Sequence, residues 1–575
     1  MRSIITAAAL CAGLAAAVPA MAQGEVDNTI DEAMAACVKA VSVVRGPLTA
    51  CDAALAREDL TGNNRAAAHY LRATGRLQSG DIDGARADTD AVLTHSADPA
   101  MLVGAGRLKL RLGEPAMALN LAERALAADA VVWEALSLKA GALVALTRPD
   151  EAVEIYEGLR EAAPQERSIT SQLAIAYLES GALSKARRLV QEGLAATPDD
   201  HILHYVRGQL LMDAGDTARA VEAFTLALAG GEAPTIYALR GGAYLILGEM
   251  DAAQADIEQI VDPTVLTAAA LIYYAVTAHA LDENERAVTA FELLRARSLM
   301  TPELQAGYAE SLFLLDRVEE ARAQAAAAVA ADPKMADAWA VLGHAALPED
   351  ARAAADFYRR SLQAHPRHYT AQYGLAEASM ILQDYPTAEK AYTAMLAIAP
   401  SVDGLVGRAI ARNGRGDAKG AWKDLDEALR AFPDDPEVRS ARGDMHYYAD
   451  DLTAAQTEYE AGLAVWPDDA YLLISRAIVF RDLGQYDAAL RDINAGLAAH
   501  PEDQALIAQK GMVYYLMDDP LSAMEWLDKA IAMNPQDAYS LWARGHAKTE
   551  LGDAAGGAAD TAEALRLHPD LAESI

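Results

Sequence analysis

The 575-residue chain is rich in small apolar residues and strongly acidic. Apolar residues make up 52% of it but only six are phenylalanine, and Ala-rich runs such as residues 325–328 predict closely packed helices and disfavour β-sandwiches. The formal net charge of −34 repels phosphate backbones and anionic headgroups, so no nucleic-acid partner is expected.

Residues 1–22 have the pattern of a secretory signal peptide. Arg2 supplies a short positive start, residues 4–18 form an apolar stretch, and a small-x-small sequence ends at Ala22. The sequence therefore predicts cleavage after Ala22 and a periplasmic or secreted mature chain.

The sequence disfavours two kinds of membrane attachment. Cys11 could carry a lipid anchor, but Leu10 stands where lipoprotein signals have a small residue. No later segment of about 20 residues lacks charge, so no transmembrane segment is predicted.

Residues 23–65 are interpreted as an N-terminal helical cap that contains Cys37 and Cys51. In an oxidising compartment these two cysteines are expected to form a disulfide. If residues 30–43 and 48–57 are antiparallel helices, Cys37 lies further from the turn than Cys51. A bridge then requires the first helix to end early or the helices to cross at an angle. A metal site would need further Cys or His ligands, which the segment lacks.

Prolines recur at an almost constant interval along most of the chain. They are Pro164, Pro198, Pro333, Pro366, Pro400, Pro433, Pro467, Pro501, Pro535 and Pro569. From Pro333 onward the gaps are 33 or 34 residues, which predicts stacked copies of one unit. Twelve residues before each proline is an alanine, or Gly557 in the last copy, so that two helices can approach closely.

Two further positions of each unit carry residues chosen for backbone conformation or small size. Seventeen residues before the prolines are turn residues: Gly181, Gly416, Gly484, Gly552, Asp316, Asp450 and Asp518. Twenty-four residues before them, inside the preceding helix, several copies have glycine: Gly443, Gly511 and Gly545. A helical glycine costs about 1 kcal/mol relative to alanine, so we expect close packing at these glycines.

This pattern resembles the tetratricopeptide repeat. In residues 470–501 the small, aromatic, turn and terminating positions are filled by Ala477, Phe480, Gly484, Tyr486, Ala489, Ile493, Gly496 and Pro501. The resemblance implies an all-α fold, a right-handed α-solenoid of roughly fifteen stacked helix–turn–helix repeats. Residues 66–302 would hold less regular repeats, residues 303–569 regular ones, and residues 570–575 a tail. The stretch 234–302 is the hardest to divide.

Arginine–glycine dipeptides recur on the first helices of the repeats. They are Arg207-Gly208, Arg240-Gly241, Arg442-Gly443 and Arg544-Gly545. Together with the N-terminal cysteine pair, they are similar to exported repeat proteins of Gram-negative bacteria.

The family register implies an inner groove lined mainly by the first helix of each repeat. Its predicted partner-binding residues are Tyr447, Tyr448, Tyr471, Ile474, Ile478, Arg481, Met512, Tyr515, Tyr539 and Trp542. Such a strip is suited to an extended peptide or a partner helix, unless some side chains pack between helices instead. Ile474 and Ile478 stand where a carboxylate clamp would have Lys and Asn, which disfavours recognition of C-terminal carboxylates.

No motif for catalysis is found, so the sequence predicts no catalytic residue, metal or cofactor. The pairs His365/His368 and His201/His204 lack a third ligand at a matching spacing. The sequence thus predicts a non-enzymatic scaffold that binds proteins or peptides. The alternative is a ligand carrier or envelope enzyme accessory that uses the same groove. Self-association through the C-terminal end is a further expectation, because a solenoid usually closes with a polar capping helix and only residues 570–575 follow Pro569.

Overall fold

The computed structural model describes residues 31–41, 48–60, 62–128, 132–164, 166–231 and 233–574. Within these ranges it contains 32 α-helices, two short 3-10 helices and no strand, which confirms the predicted all-α class. The predicted signal peptide lies outside the described residues.

The chain divides into two compact units, Met1–Ala328 and Val329–Ile575. The helices that begin in the first unit are α1 (Asp31–Val41), α2 (Thr49–Leu55), α3 (Gly62–Ser79), α4 (Ile82–His95), α5 (Pro99–Arg111), α6 (Pro115–Ala127), α7 (Val132–Ala145), α8 (Pro149–Ala162), α9 (Arg167–Glu179), α10 (Leu183–Ala196), α11 (His201–Asp213), α12 (Thr217–Leu228), α13 (Pro234–Leu247), α14 (Met250–Glu258), α15 (Ala268–Ala280), α16 (Asn284–Ala296), α17 (Pro302–Leu314) and α18 (Val318–Ala331). A 3-10 turn, Pro263–Val265, separates α14 from α15.

The second unit continues the same alternation of helices. Its helices are α19 (Ala336–Ala346), α20 (Ala351–Ala364), α21 (Tyr369–Ile381), α22 (Tyr385–Leu396), α23 (Val402–Gly414), α24 (Ala418–Ala431), α25 (Pro436–Tyr448), α26 (Leu452–Leu463), α27 (Ala470–Asp482), α28 (Tyr486–Ala499), α29 (Gln504–Leu516), α30 (Pro520–Met533), α31 (Ala538–Glu550) and α32 (Ala554–Leu567). From α3 to α32 the described helices form fifteen consecutive pairs, the number that the repeat pattern predicts.

The predicted turn residues adopt the left-handed conformation that joins the helices of a pair. Asp316, Asp450 and Asp518 have φ of 59°, 61° and 58°, and Gly484 has φ of 71°. Glycine adopts this conformation without a steric cost, and aspartate tolerates it better than most residues. The turns are therefore set by local sequence, as predicted.

Acidic residues at the repeat junctions cap the odd-numbered helices. The side chain of Asp469 accepts a hydrogen bond of 2.9 Å from the backbone N–H of Leu472 at the start of α27. Asp435 does the same at the start of α25. Each cap satisfies an N–H that has no partner within its helix. These carboxylates are thus structural.

Some helical glycines make room for an aromatic ring from the second helix of the same pair. A Cβ at Gly443 in α25 would lie 2.3 Å from the ring of Tyr459, and Tyr459 itself is only 2% exposed. The ring therefore takes the volume that a methyl group would occupy. Burial of the ring offsets the low helix propensity of glycine, as the sequence analysis expected.

The N-terminal pair is held by a disulfide between Cys37 in α1 and Cys51 in α2. Their Cα atoms are 4.6 Å apart, and both side chains are fully buried with Val41 and with Leu71 of α3. The predicted pairing is present in the structure.

The last helix is followed by a 3-10 turn, Pro569–Ser574. Leu571 in this turn is only 4% exposed, because it packs with Ile531, Leu541 and Ala564. Residues that the sequence analysis treats as a tail thus cover part of the apolar surface of the final pair. This packing weakens the case for self-association there.

Candidate functional site

The odd-numbered helices of the second unit form one continuous face. From α19 to α31, each odd-numbered helix touches the next odd-numbered one, whereas contacts between successive even-numbered helices of this described stretch are marginal at most. In a curved stack the helices that approach one another most closely lie on the inner side. The odd-numbered helices therefore carry the inner surface of this unit, where the sequence analysis places the groove.

All ten predicted partner-binding residues lie on α25, α27, α29 and α31. Only three of them are exposed: Tyr448 at 80%, Tyr471 at 56% and Tyr539 at 53%. We call these three residues the tyrosine surface. The other seven are half-buried: Tyr447, Ile474, Ile478, Arg481, Met512, Tyr515 and Trp542.

Several of the half-buried residues pack between helices, as the alternative interpretation allowed. Trp542 lies 5.7 Å from Tyr515 and 4.4 Å from His546, measured between ring centroids. Trp542 and Met512 also pack against a buried cluster around Leu527. These side chains contribute to the core between α29, α30 and α31 and offer less area to a partner than the tyrosine surface does.

Hydrogen bonds to carboxylates hold two of the predicted tyrosines. Tyr471 donates to Asp444 over 2.8 Å, and Asp444 accepts a second hydrogen bond of 2.7 Å from the buried Tyr459. Tyr447 donates to Asp482 over 2.7 Å. Burial raises the pKa of Asp444 in spite of these two hydrogen bonds. The ring of Tyr471 is therefore fixed in position while much of it remains in solvent.

Arg481, the predicted cation of the strip, already has a partner. Its guanidinium pairs with Asp482 at 2.7 Å and donates to Gln509 over 2.9 Å. The hydrogen bond to Gln509 joins α27 to α29. Both contacts together leave Arg481 poorly placed to attract an acidic ligand.

Carboxylates on the same face were missed by the sequence analysis. Asp403 and Glu437 are the second residues of α23 and α25, the place that Tyr471 and Tyr539 hold in α27 and α31. Glu377 is the ninth residue of α21, the place that Ile478 holds in α27. Extending the same register two repeats toward the N-terminus would have found all three.

Glu437 has a strongly perturbed acidity. Its pKa is raised to about 7, first because the surrounding protein limits its hydration and then because Asp403, Asp435 and Glu377 place negative charge nearby. Loss of hydration, and after it the negative charges of Glu377, Asp403 and Glu437, raise the pKa of Tyr373 to about 12. This part of the inner surface is strongly negative.

A second missed feature joins the two helices in six of the described pairs. An arginine on the odd-numbered helix binds an acidic residue sixteen positions later on the even-numbered helix. The pairs are Arg72–Asp88, Arg240–Asp256, Arg408–Asp424, Arg442–Glu458, Arg476–Asp492 and Arg544–Asp560. At the corresponding place, Lys510 lies over the ring of Trp526 at 3.8 Å. Three of the noted Arg-Gly dipeptides, at 240, 442 and 544, belong to this set.

The histidines considered as metal ligands have structural roles. His368 caps α21 through a 3.2 Å hydrogen bond from the N–H of Ala371 and contacts Asp337 at 2.8 Å. His204 bonds the carbonyl oxygen of Pro198 at 2.7 Å. Among the described residues, no group of three or more His, Cys, Asp or Glu side chains is arranged to hold a metal ion.

Comparison with known families identifies the repeat. Models described as tetratricopeptide repeat match residues 103–167, 143–210, 205–264, 348–403, 440–504 and 474–538, together more than half of the chain. The chain belongs to the tetratricopeptide repeat family. The matches include no catalytic family, and the repeat is in general a module for protein–protein interaction.

Solved structures resemble this tetratricopeptide repeat protein at low identity. The APC/C hetero-tetramer Cut9–Hcn1 is 17% identical, with a TM-score of 0.37 over 84% of this chain and 96% of that one. Yeast Tom70 is 15% identical, with a TM-score of 0.38 over 77% and 98%. A tetratricopeptide repeat protein of Parabacteroides merdae is 17% identical, with a TM-score of 0.38 over 43% and 98%. No curated protein matches the chain.

Among the described residues, no helix of this repeat protein combines the length needed to cross a membrane with sufficient apolar character.

Proposed function

We propose that this protein is a non-enzymatic scaffold of the bacterial envelope, periplasmic or secreted, that holds a peptide or a helix of a partner protein along the odd-numbered helices of its second unit. The observation that carries the proposal is the tyrosine surface, Tyr448, Tyr471 and Tyr539. Large aromatic side chains left this exposed on the inner face of a repeat stack are typical of sites that bind another protein.

The tyrosine surface has the properties of residues that contribute most of the binding free energy of an interface. Tyrosine combines a large apolar ring with a polar tip and has few rotatable bonds, so little conformational entropy is lost when a partner covers it. Tyr471 is already held by Asp444, which lowers that loss further. The partner would therefore gain contact area on a surface that needs little rearrangement.

Two features support the proposed location. The sequence of residues 1–22 predicts a signal peptide, and Cys37 and Cys51 are joined in a disulfide. Structural disulfides persist in oxidising compartments and are rare in the cytosol of mesophiles. Fractionation of cells that produce the tagged full-length chain, followed by mass analysis of the mature N-terminus, tests this location.

The triple variant Tyr448→Ala, Tyr471→Ala, Tyr539→Ala tests the proposed surface. Interface tyrosines of this kind contribute about 2 kcal/mol each, so partner binding is expected to weaken by at least about a hundredfold. Recovery of partners from a periplasmic extract on the tagged chain gives the first readout, and calorimetry with the recovered partner gives the affinity.

The matched control replaces exposed apolar residues of an even-numbered helix, Leu521→Ala and Met533→Ala in α30, which are 70% and 47% exposed. This variant should keep the affinity of the unmodified chain. Undiminished partner recovery by the tyrosine variant, with its helical circular dichroism intact, contradicts the proposed surface.

A further inference from the structure

Two arginines of α5 differ from the other cations of the first unit because nothing pairs with them. They are Arg107 and Arg111, which we call the arginine pair. Among the described residues, every other lysine or arginine that is not exposed has a hydrogen bond, an ion pair or an aromatic ring as its partner, whereas these two have none. In a chain with 83 acidic residues against 49 basic ones, two half-buried arginines without a carboxylate are unexpected.

Lys109, on another face of the same helix, has the arrangement that is usual for a buried cation. It is 3% exposed and binds Asp90 at 2.6 Å and Glu114 at 2.8 Å. Nη1 of Arg111, in contrast, is buried without any hydrogen-bond partner. Burial lowers the pKa of Arg111, because the hydration that is lost is not replaced by an anion. A buried donor without a partner is rare and indicates a place that a ligand completes.

The position of Arg111 at the end of its helix does not account for this burial. A cation in the last turn interacts favourably with the helix dipole, but it can do so from solvent. Arg107 lies a full turn further from the end. The helix dipole therefore explains neither the absence of partners nor the buried nitrogen.

Helix geometry brings the two arginines together beside a tyrosine. Arg107 and Arg111 are four residues apart and so lie on one face of α5. Gly104, three residues before Arg107, lies on the same face, and a Cβ there would be 3.1 Å from the ring of Tyr70 in α3. Burial raises the pKa of Tyr70, so its hydroxyl stays neutral and adds no negative charge. The arginine pair thus has an aromatic ring next to it.

This face of α5 belongs to the inner surface of the first unit. From α3 to α11, each odd-numbered helix touches the next odd-numbered one, whereas contacts between successive even-numbered helices of the same described stretch are marginal at most. Arg107 is the ninth residue of its helix, as Ile478 is in α27, and Arg111 is the thirteenth, as Tyr448 is in α25. The arginine pair therefore takes positions of the predicted strip in another repeat.

We propose that the arginine pair binds the carboxylate of a glutamate or aspartate side chain in a partner peptide, with the aliphatic part of that side chain against the ring of Tyr70. The inference goes beyond the proposed function, because it gives the first unit a binding site of its own. Two guanidinium groups on one face present the forked donors that match a planar carboxylate. The carboxylate supplies the acceptor that Nη1 of Arg111 lacks.

The surroundings of the arginine pair favour a carboxylate over a phosphate. Phosphate sites commonly use backbone N–H groups at the start of a helix, whereas the arginine pair lies in the second half of α5, where no N–H is free. The net charge of −34 does not prevent binding of a single carboxylate, because salt at 0.1 M screens charges beyond about 10 Å. At contact distance the two arginines determine the local charge.

The test uses fluorescence anisotropy with the full-length chain at about 0.1 M salt. The probe is amidated hexaglutamate that carries an uncharged dansyl label, and amidated hexaglutamine is the neutral probe of the same length. Hexaglutamate is expected to bind saturably, and hexaglutamine at least about tenfold more weakly. The variant Arg107→Gln, Arg111→Gln is expected to lose at least about tenfold in hexaglutamate affinity. Absence of saturable hexaglutamate binding overturns the proposal.

A control variant makes the same change in net charge elsewhere in the first unit. Arg124→Gln, Arg187→Gln removes two exposed arginines of even-numbered helices, α6 and α10, that have no ion pair among the described residues. It should bind hexaglutamate within about twofold of the unmodified chain. An equal loss of affinity in both variants overturns the proposal, because net charge alone would explain it.

Thermal unfolding separates a binding role of the arginines from a structural one. The variant Arg107→Gln, Arg111→Gln is expected to melt at or above the temperature of the unmodified chain, because it removes charges that are withdrawn from water without a partner. Hexaglutamate should raise the melting temperature of the unmodified chain and leave that of the variant unchanged. A variant that melts several degrees lower overturns the proposal, since the arginines would then stabilise the fold themselves.

Competition identifies the anion. Unlabelled hexaglutamate is expected to displace the probe more effectively than free glutarate, and glutarate more effectively than inorganic phosphate. Stronger displacement by phosphate than by glutarate overturns the choice of a carboxylate. Glutarate as effective as the hexapeptide overturns the choice of a peptide.

This proposal and the proposed function can fail separately. The tyrosine-surface variant should bind hexaglutamate with unchanged affinity, because its three residues lie in the second unit. Loss of hexaglutamate binding in that variant contradicts the assignment to the arginine pair. Failure of the arginine pair to bind hexaglutamate leaves the test of the tyrosine surface unaffected.

Discussion

Asp424→Ala is expected to lower the free energy of unfolding of the second unit by about 3–5 kcal/mol. Asp424 is 1% exposed and is bound by Arg408 through two hydrogen bonds of 2.7 and 3.0 Å, and by Arg412 at 2.7 Å. Removing the carboxylate takes from the largely buried guanidinium of Arg408 the anion that it binds, and leaves Arg412 with Glu389 alone. The free-energy cost of removing the arginine charges from water is then no longer offset by their attraction to Asp424.

Urea denaturation followed by circular dichroism measures this loss, and hydrogen exchange of the amides in α23, α24 and α25 localises it. Asp356→Ala is the matched control, because Asp356 forms an ion pair with Arg359 in which both side chains are well exposed, 65% and 45%. The control should change stability by no more than about 1 kcal/mol. Equal losses in the free energy of unfolding from the two substitutions would show that the buried ion pairs of Asp424 stabilise the helices no more than an exposed ion pair does.

Breaking the Cys37–Cys51 disulfide, by the double change Cys37→Ala, Cys51→Ala, is expected to destabilise the N-terminal pair by about 3 kcal/mol. The bridge spans 14 residues and joins two short helices, of 11 and 7 residues. Without the bridge the unfolded segment gains the freedom of an open chain. In a repeat stack each pair contacts only its neighbours, so the effect should remain in α1, α2 and α3.

Hydrogen exchange with mass spectrometry gives the measurement. Faster exchange is expected in α1 to α3 and unchanged exchange in α19 to α32. Reduction of the unmodified chain should reproduce the result, and a reductant should leave the double variant unaffected. Equal exchange in α1 to α3 before and after reduction would mean that packing of Val41 and Leu71 alone holds this pair.

The helix pairs, their turns and their caps could be predicted because each depends on local sequence. A left-handed turn needs a residue that tolerates a positive φ, such as Gly484 or Asp450. A helix start needs a capping residue, such as Asp469, just before it. These requirements recur with the period of the repeat. Repetition makes a weak signal strong, which is why even the number of pairs could be counted from the sequence.

The bridges between helices could not be predicted in the same way. Arg476 and Asp492 are sixteen residues apart and lie on different helices, so their contact depends on the relative rotation of α27 and α28. The Arg-Gly dipeptides were noticed, but their acidic partners were not. The exception at Lys510, where Trp526 replaces the acid, further obscured the pattern.

The candidate site could be predicted only in part. The sequence register placed ten side chains on the inner face, but exposure divides them into the tyrosine surface and residues that pack between helices. Exposure depends on the neighbouring repeat: Trp542 is covered because Tyr515 and His546 lie beside it. Glu377, Asp403 and Glu437 were missed because they lie on three different repeats, of which only the one that contains α25 carries residues of the predicted strip.

Site-specific photo-crosslinking tests the central claim, that a partner protein lies along the odd-numbered helices of the second unit. p-Benzoylphenylalanine is placed at Tyr471 on α27 in one full-length chain and at Leu521 on α30, which is 70% exposed, in another. Irradiation in cells, followed by mass spectrometry, should give a covalent complex with one recurring partner from position 471 and none from position 521. Crosslinks to that partner from position 521 alone would contradict the account.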